Sequence, residues 1–263
     1  MDHAELCLVD FGFCIEMPTV ISAVPTLEGL VIGSDGRSCG PDGEINSDDV
    51  QKIFPVDSRG GKLVYALMGE TTFGYSDTGA LFDFRIEVPC SLELWGTHDN
   101  PGDYLNALGI SLQNKLNLAR EVLGLAPTVG LQTTIVVGGF YENVQGLGYV
   151  SLTHGARRTE RQNYNFPPGG SFPFGSVQLV ELMHAGDSRF AKYAHPQRMR
   201  LETLQQGIDR VHKDILLHYD PEARKVNDKA CSHIGGRIQI ATVTLADGFK
   251  WVPGFESAGF TSP

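Results

Sequence analysis

The chain lacks any long apolar run and has no basic segment at its amino terminus. Its longest apolar stretches fall far short of the roughly 20 residues that a membrane-spanning helix needs. The first six residues, Met1-Asp2-His3-Ala4-Glu5-Leu6, do not carry the positive charge that opens a secretory signal. The sequence therefore predicts a soluble protein with no membrane partner.

Cysteine is scarce, and its spacing fits neither a disulfide framework nor a metal motif. The five cysteines lie at positions 7, 14, 39, 90 and 231, and no two of them form a Cys-x-x-Cys pair. An odd number without paired spacing favours reduced thiols. We therefore expect a cytoplasmic, or cytoplasm-like, compartment.

Positive charge is outnumbered and is not clustered. The formal net charge at pH 7 is −10, with 21 Lys and Arg residues against 31 Asp and Glu residues. A nucleic-acid-binding surface or a surface for anionic lipid needs a concentrated basic patch. The charge pattern thus argues against nucleic acid as a partner.

Nothing in the composition indicates a boundary between domains. The 263 residues, 41% of them hydrophobic, suffice for one substantial core. No linker-like stretch, internal repeat or low-complexity tract interrupts them. We expect a single domain over residues 1–263.

Hydrophobic periodicity indicates strands in pairs, then two helices, then strands again. Helical spacing is clear over 103–123 and 201–215, whereas 131–139 with 147–152 and 237–245 with 249–252 read as hairpins. Between them we expect a short helix within 76–84, a loop over 154–176, a strand over 177–182 and the start of a helix at 186. This order favours an α+β protein over a parallel βαβ repeat.

The stretch from Pro18 to Glu70 carries the most chemistry. Thr19 begins one predicted strand, and Asp35 ends the next, so a hairpin brings them together. Two further strands, 51–56 and 62–69, are predicted to place Lys52 beside Asp35 and Gly69 near Thr19. A hydroxyl, a carboxylate and an ammonium group can activate a nucleophile, and a glycine N–H can hold an oxyanion.

These segments resemble a proteasome β-type subunit, of the proteasome-like N-terminal nucleophile (Ntn) hydrolase family. The resemblance is carried by these segments: Thr19-Val20, Leu30-Val31-Ile32-Gly33-Ser34-Asp35, Lys52-Ile53-Phe54, Ala66-Leu67-Met68-Gly69, Ile135-Val136-Val137-Gly138-Gly139 and Gly235-Gly236-Arg237. It implies a four-layer αββα sandwich, a leader over residues 1–18 and a threonine protease that matures by autoproteolysis. It also implies a ring-like homo-oligomer, with other proteasome-like subunits or an ATPase as further partners, and no cofactor.

The resemblance assigns a role to each residue of the site. Thr19, once it is the first residue, supplies both the nucleophilic hydroxyl and the α-amino base, whose reference pKa is about 8. Lys52 stabilises the developing alkoxide, Asp35 orients Lys52, and the N–H of Gly69 faces the oxyanion of the substrate peptide or amide. The substrate-binding (S1) positions fall on Ser38, Val50 and Leu67, an apolar set that suits a hydrophobic side chain; the latter two equally fit core positions.

Several residues depart from the family pattern. Pro18 stands where glycine usually precedes the cleaved bond, and proline restricts the backbone there. Asp187 replaces a supporting serine, while Cys231 and Ile234 replace a supporting aspartate and serine. These departures leave a second hypothesis, a non-catalytic ring or scaffold subunit that keeps its leader.

Other constellations are weaker. The segment Cys231-Ser232-His233 together with Cys7, Cys14 or His184 lacks the spacing of a zinc motif, and a Cys–His hydrolase built on Cys231 is no better supported. We expect no metal.

Overall fold

The computed structural model describes residues 19–40, 43–58, 61–76, 79–94, 101–123, 132–141, 143–153, 159–164, 171–175, 177–195 and 203–258. The predicted leader, residues 1–18, lies outside these ranges. Within them the chain combines helices with antiparallel sheets, so the predicted mixture of helices and antiparallel strands is confirmed.

Two five-stranded antiparallel sheets form the centre of the fold. The first sheet has the order β12-β1-β2-β13-β14 and the second the order β11-β10-β9-β6-β5. The first consists of β1 (Val20–Pro25), β2 (Leu30–Ser34), β12 (Phe172–Gly175), β13 (Gln239–Thr244) and β14 (Gly248–Trp251). The second consists of β5 (Ile53–Ser58), β6 (Gly61–Gly69), β9 (Gln132–Tyr141), β10 (Val144–Thr153) and β11 (Thr159–Tyr164).

Two small hairpins and six α-helices complete the described elements. The hairpins are β3 (Ser38–Cys39) with β4 (Ile45–Ser47), and β7 (Thr72–Ser76) with β8 (Gly79–Asp83). The helices are α1 (Phe84–Leu94), α2 (Pro101–Leu123), α3 (Gln178–His184), α4 (Leu204–Leu216), α5 (Pro221–Val226) and α6 (Asp228–His233). Short 3₁₀ turns follow α3 at Ser188–Phe190 and α4 at Leu217–Tyr219.

The two sheets share a hydrophobic core. It forms because side chains along each strand alternate between the two faces of the sheet. Side chains such as Ile21 and Ile32 from the first sheet pack with Val64 and Val136 from the second. Because successive strand residues point to opposite faces, the other residues of these strands face the helices. This shared core holds the strands that carry the site in register with one another.

Helices pack against both sheets. Val88, Leu108 and Leu112 of α1 and α2 pack with Tyr65 and other residues of the second sheet. On the first sheet, Val211 and Ile215 of α4 pack against Val20, Val31 and Ile240. Among the described helices, including the 23-residue α2, none combines the length and apolarity that a membrane span requires.

Four local predictions were wrong. The expected helix within 76–84 is instead the β7–β8 hairpin, and the helix α1 follows it. Phe84, Val88 and Leu92 of α1 are fully buried at a spacing of four residues, but the internal Pro89 obscured this helical pattern in the sequence.

The region around 154–182 also differs from expectation. The predicted loop over 154–176 contains β11 and β12, and the predicted strand over 177–182 is the helix α3. Leu179, Val180 and Met183 are its buried residues, a spacing of one and three residues that a helix face provides and an alternating strand does not. The expected helix from 186 is only a 3₁₀ turn at Ser188–Phe190.

Candidate functional site

The β1–β2 hairpin brings Thr19 and Asp35 together at one end of the first sheet. Ile21 pairs with Ser34, so Thr19 and Asp35 stand just beyond the first and last residues of the paired strands. The backbone N–H of Asp35 donates to the carbonyl oxygen of Val20 at 3.3 Å, and the N–H of Val20 donates to Asp35 Oδ1 at 3.1 Å. These bonds fix the Asp35 side chain directly beneath the start of β1.

Lys52 completes a contiguous trio of polar side chains. Its Nζ donates to Thr19 Oγ1 at 3.0 Å and to Asp35 Oδ1 at 2.9 Å. Asp35 is fully buried, and Thr19 and Lys52 are each only 7% exposed. The ammonium group therefore lies between a carboxylate and a hydroxyl in a site from which most water is excluded, where electrostatic interactions are strong.

The buried carboxylate of Asp35 is fully hydrogen-bonded. Besides the two bonds to Oδ1, the backbone N–H groups of Arg37 and Gly235 donate to Oδ2 at 3.2 Å and 3.3 Å. An ionised carboxylate offers about four acceptor positions, and a buried charge is tolerated when it is paired and hydrogen-bonded. Gly235 thus enters the site through its backbone N–H, and an added Cβ there would lie 2.5 Å from Cζ of Arg37.

Arg37 joins the loops that surround Asp35. Its guanidinium group makes two hydrogen bonds to the carboxylate of Asp48, at 2.7 Å and 3.2 Å, and a third to the carbonyl oxygen of Ser232 at 3.0 Å. The hydrogen bond to Asp48 raises the pKa of Arg37, and the same bond lowers the pKa of Asp48. The ion pair ties the segment after β2 to the segment before β5, and the hydrogen bond to Ser232 ties it to α6.

Gly175 is a site residue that the sequence analysis missed. It ends β12 with a φ of 90°, and a Cβ added there would lie 1.9 Å from the carbonyl oxygen of Thr19 and 2.8 Å from Sδ of Met68. Only glycine leaves room for Thr19 at this place. The hydrophobic periodicity predicted a loop for the segment that contains Gly175, so there was no reason in the sequence to expect this contact.

Gln239 is a second missed residue. This fully buried side chain of β13 contacts the backbone of both Val50 and Lys52. Nothing in the sequence distinguishes it from an ordinary strand residue, because its function depends on the approach of a segment 187 residues away.

The predicted oxyanion residue, Gly69, lies at the carboxyl end of β6. Its φ is 90°, a conformation that favours glycine, and it pairs with Thr133 of β9. Its neighbour Met68 reaches the Thr19 end of β1, as the Gly175 geometry shows. The described contacts place Gly69 at the end of the strand that approaches the site.

The three predicted substrate-binding residues occupy different environments. Ser38 in β3 and Val50 are half-buried, and the N–H of Val50 donates to the carbonyl oxygen of Gly36 at 2.9 Å. Leu67 is 2% exposed and packs in the core beneath α1 and α2, although its backbone N–H donates to the carbonyl oxygen of Lys52 at 3.0 Å. Leu67 is thus a core side chain whose backbone adjoins the site.

Residues that replace the family's supporting groups serve structural purposes. Asp187 accepts a hydrogen bond from the N–H of Arg189 and pairs with its guanidinium group, which caps the 3₁₀ turn. Ile234 packs in the core beneath α4. Burial raises the pKa of the Cys231 thiol to about 11, so this cysteine is protonated at neutral pH and unsuited to nucleophilic chemistry.

In the part of the chain that the structure describes, no three His, Cys, Asp or Glu side chains cluster as a metal site would require. Cys231 and His233 lie on α6, where the cysteine packs in a small core with α3 and α5.

Comparison with known proteins identifies a fold but not a family. No protein-family model matches the chain, and neither does any curated protein sequence. Among solved structures, the chain is similar to a Gly-1 mutant of Anbu from Hyphomicrobium sp. strain MC1, with 16% identity, a TM-score of 0.50 and coverage of 92% of this chain and 88% of that chain. It is also similar to Anbu, an ancestral β-subunit, from Yersinia bercovieri, with 10% identity, a TM-score of 0.49 and coverage of 89% and 86%.

These findings correct the resemblance drawn from the sequence. Assignment to the proteasome β-type subunits, or to the proteasome-like Ntn hydrolase family, was wrong, because no family model matches and identity to the two Anbu structures is 16% and 10%. Identity this low shows the fold alone. The chain has a fold of mixed α-helices and antiparallel sheets that is similar to the fold of Anbu from Hyphomicrobium sp. strain MC1.

Proposed function

We propose that this chain hydrolyses peptide or amide bonds with Thr19 as an N-terminal nucleophile. Removal of residues 1–18 converts the nitrogen of Thr19 from a peptide amide into a free amine. The observation that carries the proposal is the position of Lys52 Nζ, 3.0 Å from Thr19 Oγ1 and 2.9 Å from Asp35 Oδ1. A buried ammonium group against a hydroxyl favours the alkoxide that forms as this hydroxyl loses its proton.

The reaction proceeds in two steps, formation of an ester on Thr19 and hydrolysis of that ester. Thr19 Oγ1 attacks the substrate carbonyl carbon while its proton passes to the α-amino group, and a tetrahedral oxyanion forms. The protonated amine then donates that proton to the leaving nitrogen as the carbon–nitrogen bond breaks, which leaves an ester on Thr19. Water, deprotonated by the same amine, cleaves the ester and restores the hydroxyl.

Asp35 and Gly69 act through charge and hydrogen bonding. Asp35 keeps the ammonium group of Lys52 oriented toward Thr19, since two backbone N–H groups hold its second oxygen. The N–H of Gly69 donates to the oxyanion, a contact that is worth about 3 kcal/mol in other enzymes. The position of Gly69 at the end of β6, beside Met68, supports this role.

Ser38, Val50 and Leu67 adjoin the substrate side chain that precedes the cleaved bond. The N–H of Leu67 donates to the carbonyl oxygen of Lys52, and the carbonyl oxygen of Val50 accepts from the Gln239 side chain that also binds Lys52, which supports this assignment. A fluorogenic peptide panel should show preference for an apolar residue at that position. Preference for acidic or basic residues would exclude these three residues as the determinants.

Intact-mass spectrometry tests the maturation step. The full-length chain, purified and incubated, should lose residues 1–18, and Thr19→Ala should abolish the loss. A wild-type chain that keeps full length while it hydrolyses nothing would argue against the enzyme.

A non-catalytic subunit is the second candidate function. Pro18 favours it, because proline before Thr19 restricts the backbone rotation that self-cleavage at this bond requires. In this case the leader stays attached and the Lys52–Asp35 pair serves only to join the two sheets.

We further propose a single-domain, four-layer αββα arrangement that assembles into a ring-like homo-oligomer. The three cores, one between the sheets and one beneath the helices on each outer face, support the layered arrangement. The similarity in fold to Anbu, described as an ancestral β-subunit, supports the assembly. The free thiols of Cys39, Cys90 and Cys231 support a reducing, cytoplasmic compartment. Native mass spectrometry would measure the number of subunits.

A further inference from the structure

We propose that Gln239 is a positioning residue that fixes the backbone of Lys52, so that its ammonium group stays between Thr19 and Asp35. This inference rests on the proposed function, because it concerns the group that stabilises the nucleophile. Gln239 does not touch the reacting atoms and acts only through Lys52.

Both polar atoms of the Gln239 carboxamide make hydrogen bonds to one short segment, residues 50–52. Its Oε1 accepts a hydrogen bond from the backbone N–H of Lys52 at 3.1 Å, and its Nε2 donates to the carbonyl oxygen of Val50 at 2.7 Å. The side chain is completely buried. Buried hydrogen bonds of this kind are costly to break, since a partner left unsatisfied bears the full cost of its desolvation.

The position of Gln239 in the fold explains why these hydrogen bonds affect Lys52. Gln239 begins β13 and pairs with Ser34, the residue directly before Asp35. Lys52 directly precedes β5, which is an edge strand of the second sheet. The carboxamide therefore joins the sheet that bears Thr19 and Asp35 to the segment that bears Lys52.

The segment at Lys52 is also held by the hydrogen bond from the Val50 N–H to Gly36 and by the Asp48–Arg37 ion pair, but in the described structure the backbone of Lys52 itself makes only one further hydrogen bond. Its backbone carbonyl accepts one hydrogen bond from Leu67 on β6, the only strand beside β5 in the described sheet. Lysine has a long side chain with many rotamers, so the location of its ammonium group depends on a fixed backbone. Displacement of a catalytic group by about 1 Å can lower the rate by about 100-fold.

Three variants of a chain that begins at Thr19 test the inference. Gln239→Met keeps the length and removes both hydrogen bonds. Gln239→Glu keeps the length and the acceptor, but when ionised it cannot donate to Val50. Thr242→Val is the matched control, since Thr242 is a buried polar residue of the same strand whose hydroxyl contacts Lys250 rather than Lys52.

We expect Gln239→Met to lower kcat by about 10- to 100-fold with a smaller rise in KM, because it displaces Lys52, whereas Val50, a proposed substrate-binding residue, keeps its hydrogen bond to Gly36. The backbone amide of Lys52 should also exchange with solvent faster, since its acceptor is gone. Thr242→Val should leave kcat and this exchange rate close to wild type.

The pH profile of Gln239→Glu separates positioning from packing, and it serves equally if Gln239→Met fails to fold. A protonated carboxyl group can donate to Val50 while its carbonyl oxygen accepts from Lys52. The ratio of the Gln239→Glu rate to the wild-type rate should therefore rise as pH falls. A ratio that does not change with pH would overturn the inference.

The outcomes distinguish this inference from the function on which it rests. If the wild-type chain with a free Thr19 hydrolyses no peptide or amide, the proposed function fails and the inference fails with it. If the wild type is active and Gln239→Met matches it in both kcat and Lys52 amide exchange, only the inference is overturned. Equal losses in Gln239→Met and Thr242→Val would indicate general loosening of β13 and would also overturn it.

Discussion

Lys52 is the side chain on which the stability of the site depends most, because among the described residues it is the one ion partner of the buried carboxylate of Asp35. We expect Lys52→Met to lower the free energy of unfolding by about 3 kcal/mol, since it leaves that carboxylate without its ion partner. Asp35→Asn in the same background should restore part of the loss. Chemical denaturation of the two single variants and the double variant measures this coupling.

Strictly additive effects of the two substitutions would contradict this account of the pair, because independent residues show no interaction energy.

Gly175 protects the space that Thr19 occupies. Gly175→Ala places a methyl group against the Thr19 carbonyl oxygen and also forces a left-handed backbone, which alone costs about 1–2 kcal/mol. We expect a loss of stability beyond that figure and a large loss of hydrolysis, measured by thermal melting and by peptide assay. Gly186→Ala is the control, since Gly186 has a similar φ of 85° but no atom within 4 Å of an added Cβ.

Similar stability losses for the two glycine variants would show that backbone strain, and not contact with Thr19, dominates at position 175.

His184 makes the stability of the protein depend on pH. Burial lowers its pKa, with a smaller contribution in the same direction from His195. Arg210 also lowers this pKa, and Asp214 opposes the shift by raising it. The unfolded chain therefore binds a proton more readily, so the free energy of unfolding should fall as pH drops below the ordinary histidine value of about 6.5.

Denaturation midpoints measured between neutral and mildly acidic pH should show this fall, and His184→Gln should reduce it. An unchanged pH dependence in the variant would assign the effect to other groups.

At the scale of elements, Gly207 sets the distance at which α4 packs on the first sheet. A Cβ at Gly207 would lie 2.7 Å from Cγ2 of Val31 and 2.9 Å from Cγ2 of Thr26. Although alanine is a better helix former by about 1 kcal/mol, we expect Gly207→Ala to lower stability by about 1–3 kcal/mol, because the branched side chains of the sheet cannot yield.

Denaturant unfolding tests this sign, with the exposed Lys213→Ala on the same helix as a control that should change little. A stabilised Gly207→Ala variant would mean that the helix shifts without cost.

Local patterns in the sequence sufficed for the long elements. The β1–β2 hairpin, the helix α2 and the β9–β10 hairpin follow from alternation or helical spacing over many residues. Short elements were harder, because α3 has only seven residues and its apolar run fits a strand as well as a helix. The internal proline of α1 had the same effect.

The site residues likewise divide into those that could be predicted from the sequence and those that could not. Thr19 and Asp35 could be placed together from one hairpin, whose partners are neighbours in sequence. Gly175 and Gln239 could not, since they contact Thr19 and Lys52 only after distant strands assemble. The backbone contact of Gly235 with Asp35 could not be predicted either, although the choice of glycine there has a separate reason, since an added Cβ would lie 2.5 Å from Cζ of Arg37.

At the scale of the whole molecule, the site belongs to both sheets. Thr19, Asp35 and Gln239 belong to the first sheet and its adjoining residues, whereas Lys52 and Gly69 belong to the second. The core between the sheets therefore sets the distances in the site. Any substitution that loosens this core should displace Lys52 from Thr19 before the protein unfolds.

Hydrolysis by a chain that begins at Thr19 is the most direct measurement of the central claim. The wild type and Thr19→Ser, which both keep a hydroxyl beside a free amine, are predicted to cleave a fluorogenic peptide. Thr19→Ala, which keeps the amine alone, is predicted to be inactive while folded. Equal cleavage by the alanine variant, or no cleavage by any of the three, would contradict the account.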